Sequence, residues 1–339
     1  MIESRMEGLI AAAVTPLCDD GRLNLPQVAP LVDRLLEQGV KGFYVCGSTG
    51  EGMSLADDER CAVAEAYIRA VRGRVPVMIQ VGHNSLQSAA RLASHAQENG
   101  ADAISATCPS YFPLNGLDSL VDSMAQVAAG APSLPFYYYH IPGLTGAQFD
   151  MVDFLRQAED RIASLAGLKY TMATLNEYQL CQEYGGGKFD MLWGVDEMLL
   201  PAMATGARGA VGSTYNIAPT AYLNVMSAVQ EGRLAEARAW QSRVSTMIRI
   251  LSTYPFHSAL RETMNLLGMQ CGPCRLPLRR LTAADTAALR RSLDEIGFFQ
   301  WNAQRAPSVH RRTDAGAEQQ PLAPAAGLPH AATARHERV

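Results

Sequence analysis

Short apolar, β-branched runs alternate along this chain with longer segments whose apolar positions recur at helical spacing. The short runs begin near Leu9, Gly42, Val75, Ala103, Pro135, Ile162, Phe189 and Gly209. Several of them, such as 75–81 and 136–139, are almost continuously apolar. Strands covered on both faces have this composition, because neither face meets water. In the segment after the first run, Val28, Leu31, Val32, Leu35 and Leu36 follow an i, i+3, i+4, i+7, i+8 pattern, and Gly39 is placed to end the helix. After the second run, Ser54 precedes a turn bearing Asp57, Asp58 and Glu59, carboxylates that suit the positive end of a helix dipole. Val63, Ala66, Tyr67, Ala70 and Val71 form the buried stripe of that second helix.

Eight strand–helix units of this kind predict an α/β fold, a (β/α)8 TIM barrel with additional C-terminal helices. A doubly wound open sheet would usually place a Gly-x-Gly-x-x-Gly turn after its first strand, and Thr15-Pro16-Leu17 is unlike it. Residues 6–217 are expected to form the barrel through its eighth strand. Residues 218–299 hold the eighth helix and a helical extension, with further helices over 234–252, 258–267 and 283–296. From 300 to 339 the composition shifts to Ala, Pro, Gln, His and Arg without a period, which predicts a disordered tail.

Composition narrows the function classes. The 339 residues are 48% hydrophobic, enough for a sizeable core, and the net charge of −4 draws the chain toward neither nucleic acid nor an anionic membrane. No apolar run approaches the roughly 18 residues of a membrane span. Met1 to Arg5 carry both signs of charge, unlike a secretory signal. The seven scattered cysteines suggest reduced thiols and a cytoplasmic setting. Cys271-Gly-Pro-Cys274 has no further zinc ligands nearby and is read as a reduced loop. A small-molecule enzyme is the expected class.

Barrel enzymes assemble their sites at the C-terminal ends of the strands. After the second strand, Gly47-Ser48-Thr49-Gly50-Glu51-Gly52 offers two hydroxyls and their amides between glycines. Such a loop is either a simple turn or a cradle for a carboxylate or phosphate. The fourth strand leads to Tyr111 in a Pro-stiffened loop, and the fifth ends in Tyr137-Tyr138-Tyr139-His140. Alternation puts Tyr137 and Tyr139 on one face and Tyr138 on the other. The sixth ends in Gly167-Leu168-Lys169-Tyr170-Thr171. The chain has only three lysines, Lys41, Lys169 and Lys188, and one at the end of an apolar strand is either paired with a carboxylate or reactive. After the seventh strand, Gly194-Val195-Asp196-Glu197 either compensates a helix dipole or grips hydroxyls. The eighth leads to Gly212-Ser213-Thr214-Tyr215-Asn216. Gly185-Gly186-Gly187-Lys188 lacks P-loop spacing and reads as a helix-terminating turn.

In this order the motifs resemble the N-acetylneuraminate lyase and dihydrodipicolinate synthase family of pyruvate-dependent class I aldolases, over about residues 6–299. The resemblance rests on Gly47-Ser-Thr-Gly-Glu51, Tyr139 before Ile141-Pro142, and Gly167-Leu-Lys169 in register with eight units. Within the family, Tyr138 to Pro142, Gly194 to Leu200 and Gly212 to Asn216 resemble the branch that cleaves N-acetylneuraminate. The synthase branch usually carries an arginine in the loop after Ile141-Pro142. Here that stretch reads Gly143-Leu144-Thr145-Gly146, without a cation, which argues for a sugar acid rather than a dicarboxylate.

The resemblance implies a lyase in which Lys169 forms a Schiff base with a 2-keto acid, needing no metal or organic cofactor. It implies catalytic roles for Lys169, Tyr139, Ser48 and Tyr111, the last reaching a neighbouring subunit's site in a homotetramer. Substrate would be bound by Ser48, Thr49, Thr171, Gly194, Asp196, Glu197 and Ser213. The small-molecule partners implied are N-acetylneuraminate, N-acetylmannosamine and pyruvate. Rival readings are a 2-keto-3-deoxy sugar acid aldolase, a dihydrodipicolinate synthase, a non-catalytic sugar-acid sensor and a metal-dependent aldolase. The last is disfavoured because His83, His95, His140 and His257 show no local ligand spacing.

Overall fold

A computed structural model describes residues 5–303. Eight strands form a closed barrel in sequence order: β1 (Gly8–Ala12), β2 (Gly42–Val45), β3 (Val77–Gln80), β4 (Ala103–Ala106), β5 (Phe136–His140), β6 (Leu165–Tyr170), β7 (Asp190–Trp193) and β8 (Gly209–Gly212). Every neighbouring pair is parallel, and β1 pairs with both β2 and β8, which closes the ring. Helices follow as α1 (Val28–Glu37), α2 (Asp57–Val71), α3 (Leu86–Glu98), α4 (Leu117–Ala128), the short α5 (Pro142–Thr145), α6 (Met151–Ala158), α7 (Leu175–Gly187), α8 (Leu199–Ala204) and α9 (Pro219–Gln230). The C-terminal extension supplies α10 (Leu234–Leu251), α11 (Phe256–Leu266), α12 (Ala283–Glu295) and α13 (Phe298–Asn302).

Two apolar clusters explain the near-continuous apolar strands. One lies between the strands and the helix ring, and includes Phe43, Ile79, Tyr138, Phe154, Leu168 and Trp193. The other lies inside the barrel and is built from Ile10, Ala12, Tyr44, Met78, Ala103, Tyr137, Tyr139, Ala166, Leu192 and Val211. Alanines at three of these inner positions leave room for three tyrosine rings within a narrow barrel. The alternation expected on β5 holds: Tyr137 and Tyr139 point inward, while Tyr138 packs outward on Phe154 at 4.8 Å between ring centres. At the base of the barrel the Tyr137 hydroxyl donates to Asp190 Oδ2 at 2.9 Å.

Local signals set most element ends. Helix α1 stops at Glu37, two residues before Gly39, whose φ of +92° is open to glycine alone at little cost. The N-cap of α2 is Ala56 rather than Ser54; Ser54 belongs to a preceding 3-10 turn, and Glu59 accepts from the Ala56 amide at 3.0 Å. The glycine run expected to end α7 does so, with Tyr184, Gly185 and Gly186 outside helical geometry. Helix α13 carries regular structure to Asn302, past the expected start of the tail at 300, because Phe298 and Trp301 are buried against each other and Trp301 against Trp240 of α10. The rest of the expected tail, 304–339, lies outside the described residues.

Strands β5 and β6 shift register between Phe136 and Tyr137, and Gly167 lies at that irregularity. A Cβ on Gly167 would stand 1.7 Å from the Asp190 carbonyl oxygen, a backbone atom that cannot rotate away. Gly167→Ala is therefore expected to destabilise the barrel by about 3 kcal/mol or more. Scanning calorimetry checks this as a fall in Tm of about 6 °C or more; an unchanged Tm would contradict this packing of β6 against β7.

Candidate active site

The site is best built outward from Lys169. It is the fifth residue of β6, opposite Tyr139 of β5 and Leu192 of β7 in the strand register. Its neighbours Leu168 and Tyr170 face the helices, so alternation turns Lys169 inward. The side chain is 3% exposed, and Nζ stands 3.9 Å from the ring centres of both Tyr44 and Tyr139. Those rings meet edge to face at 5.6 Å. Among the described residues Nζ makes no ion pair with a carboxylate. Burial lowers the pKa of this amine from its ordinary 10.5, although the neighbouring Tyr139 hydroxyl and the charge of Asp196 act in the opposite direction.

Asp196 is the buried carboxylate nearest in consequence. It begins a 3-10 turn after β7, and its Oδ2 accepts from the Thr214 amide at 2.8 Å and the Thr214 hydroxyl at 2.6 Å. Thr214 Oγ1 also meets the Tyr222 hydroxyl. Burial raises the Asp196 carboxyl to about 6, against the pull of those two hydrogen bonds. Gly212 makes this placement possible, since a Cβ there would lie 2.2 Å from Asp196 Oδ1.

The loop after β2 supplies the hydroxyls. Thr49 is buried, and its Oγ1 lies 2.8 Å from Ser213 Oγ, which ties this loop to the one after β8. Ser48 is half-buried beside it. Cys46 and Glu51, at φ of 59° and 54°, hold left-handed backbone that costs about 1–3 kcal/mol each in a non-glycine residue. Gly194 follows β7, its amide donating to the Tyr170 carbonyl at 2.8 Å. Beside it the Thr171 hydroxyl is buried without a hydrogen-bond partner. An unsatisfied buried hydroxyl costs roughly 1–3 kcal/mol, which a ligand's polar group would recover.

Two expected site residues lie apart from this group. Tyr111 is 78% exposed, edge to face with Phe112 at 5.0 Å, and its amide donates to Asn84 Oδ1. Glu197 is exposed, and its carbonyl accepts from Gln241 of α10 at 2.9 Å. Conversely, the pattern of the sequence assigned no role to Tyr44, although its alternation on β2 could have placed it inside. It raised His257 only as a metal ligand and gave no sign of Arg261; both arrive from α11 against the β2 loop. Among the described residues no group of three or more His, Cys, Asp or Glu is arranged to hold a metal ion. His83 and His95 instead face Asp57 and Glu65. Cys271 and Cys274 are free and buried, their thiols pushed up to about 12 and about 11 by burial.

An inward amine of lowered basicity, a tyrosine packed against it and a hydroxyl-lined loop can together condense with a ketone and move protons. The profile of the Dihydrodipicolinate synthetase family matches residues 5–296. The chain is 43% identical over 288 residues to the N-acetylneuraminate lyase of Xenopus tropicalis, covering 83% of this chain and 93% of that protein. The structure of Proteus mirabilis N-acetylneuraminate lyase superposes with a TM-score of 0.85 at 36% identity, covering 87% of this chain and all of that one. The N-acetylneuraminate lyase (sialic acid aldolase) from Aliivibrio salmonicida gives the same TM-score and identity over 87% and 98%.

The raised carboxyl of Asp196 has a thermodynamic consequence. The folded chain holds this proton more tightly than the unfolded chain, so the group favours folding below its ordinary 3.8 and loses that contribution as pH rises toward about 6. Asp196→Asn removes the titration. Unfolding measured at several pH values should show the unsubstituted protein losing roughly 2 kcal/mol relative to the variant between pH 4 and 7. Parallel profiles would mean that Asp196 ionises normally.

Proposed function

The chain belongs to the dihydrodipicolinate synthetase family, and from that premise we infer that it is an N-acetylneuraminate lyase, cleaving its substrate reversibly to N-acetylmannosamine and pyruvate. The observation that carries the chemistry is the inward, buried Lys169 amine, which among the described residues has no carboxylate at ion-pair distance. A free lysine near pKa 10.4 is neutral in only about one molecule in 2,500 at pH 7, a handicap of about 4–5 kcal/mol to a nucleophile. Burial between Tyr44 and Tyr139 removes part of that handicap.

The substrate's carboxylate rests on Ser48, Thr49 and the amides of their loop. The neutral Lys169 amine adds to the C2 ketone, and water leaves to give an iminium. The C4 hydroxyl then loses its proton and the C3–C4 bond breaks. Its electron pair moves to the iminium nitrogen, releasing N-acetylmannosamine and leaving an enamine of pyruvate. Protonation at C3 and addition of water free pyruvate and return the amine. Tyr139 moves the protons, a role supported by its place against the amine, 3.9 Å from ring centre to Nζ, and Ser48 assists. Thr171, Gly194, Asp196, Glu197 and Ser213 bind the hydroxyl and amide groups of the sugar; the unpartnered Thr171 hydroxyl and the buried Asp196 carboxylate support that assignment. The iminium is the electron sink, so the steps need no metal or organic cofactor.

The rival within the family, a synthase closing on a dicarboxylate, lacks a cation where it would be needed: α5 and its cap offer Gly143, Leu144, Thr145 and Gly146. Exposed Tyr111 is the residue by which a second subunit completes the site in a homotetramer, and sedimentation of the purified chain tests that assembly.

Three outcomes are expected of the chemistry. The protein releases pyruvate from N-acetylneuraminate in preference to 2-keto-3-deoxygluconate, and Lys169→Ala abolishes this. Borohydride added with pyruvate leaves a stable mass increase at Lys169, at a rate that climbs with pH and levels off below the ordinary lysine range. Tyr139→Phe lowers kcat by about 10²–10⁴-fold while trapping persists. A protein that traps no pyruvate is not a lyase of this kind and would be read as a sugar-acid sensor.

A further inference from the structure

Helix α11 reaches the loop after β2 from a distant part of the chain. His257 and Arg261 stand four residues apart on α11, hence on one face, and both meet this loop. Arg261 Nε and Nη2 hold Glu51 Oε1 at 2.7 and 2.6 Å. Its Nη1 donates to the Cys271 carbonyl at 2.7 Å and its Nη2 to the Thr15 carbonyl at 2.8 Å. The second Glu51 oxygen accepts from the Arg275 amide at 2.9 Å. Both side chains are sealed from water, at 2% and 1% exposure. One turn earlier, the His257 ring shares a hydrogen bond with the Ser48 backbone.

This arrangement has features that simple core packing would not require. A buried ion pair is often no more stabilising than an apolar replacement of equal volume, so its presence needs another reason. Glu51 is also in left-handed backbone, a conformation that persists only where its surroundings hold it. Moreover, Glu51 stands two residues from Thr49, in the very loop assigned to receive a carboxylate. Left unpaired, its charge would repel that ligand.

We propose that Arg261 is a positioning residue for the carboxylate-binding loop: through Glu51 it fixes the direction of Ser48, Thr49 and their amides. The proposal rests on the lyase reading, because it requires this loop to receive the carboxylate of a 2-keto acid. The planar guanidinium fork serves three acceptors on three segments at once, which the point charge of a lysine does not.

The test uses borohydride trapping at Lys169 with two ketones, pyruvate and its neutral ester methyl pyruvate, in the full chain and in Arg261→Lys and Glu51→Gln. Both variants retain polar groups at the buried positions; if one fails to fold by circular dichroism, the other carries the test. The half-saturating pyruvate concentration should rise about tenfold or more, with the limiting rate and the trapping of methyl pyruvate within about threefold of the unsubstituted protein. Equal losses with both ketones, or an unchanged half-saturation for pyruvate, would overturn the positioning role and leave the lyase reading standing. No adduct in the unsubstituted protein would overturn that reading and this inference together.

Discussion

Closing eight parallel strands into a ring buries the inward side chains among one another. Most of those positions are alanine, aliphatic or tyrosine. Lys169 brings a buried amine among them, and the closure decides its chemistry. An ammonium at that place is favoured by the two tyrosine faces, by the Tyr139 hydroxyl and by Asp196, yet desolvation outweighs them and shifts the amine toward its neutral form. The same burial pushes the Asp196 carboxyl toward its neutral form. Burial thus acts in the same sense on both groups, disfavouring the charged form of each. That is a suitable condition for an amine that must attack a carbonyl.

Such a site has to be rigid where it binds and adaptable where it reacts. Rigidity comes from contacts between segments far apart in the chain: Thr49 with Ser213, Asp196 with Thr214, and Glu51 with Arg261. Together they tie the loops after β2, β7 and β8 to each other and to α11. The C-terminal extension is therefore more than a cover over the barrel. It contributes a buried cation to the loop that the proposed mechanism uses to hold substrate.

The family is fixed by a profile that spans nearly all the described residues, and the relatives found are named for cleaving N-acetylneuraminate. The roles of individual residues rest on geometry and chemistry. Lys169 and Tyr139 sit together, as the roles proposed for them require, and Ser213 lies against Thr49. Tyr111 and Glu197 face outward, so any part they play depends on something that approaches this chain from outside its own inner cluster.

The amino-acid order by itself determined the eight strand starts, the helical stripes, the inward pair Tyr137 and Tyr139 and the anomaly of a lysine in an apolar strand. These are periodicities and contrasts within about ten residues, and backbone geometry converts them directly into faces. Only the tertiary structure decided that Tyr44 lies beneath the amine, that Thr214 secures Asp196, and that Ala56 rather than Ser54 caps α2. The clearest case is Glu51 and Arg261, separated by 210 positions. A polar residue in a glycine-rich turn and an arginine in an amphipathic helix each look like ordinary surface residues. They become a buried pair because ring closure brings the β2 loop beneath α11, a proximity that no local period encodes.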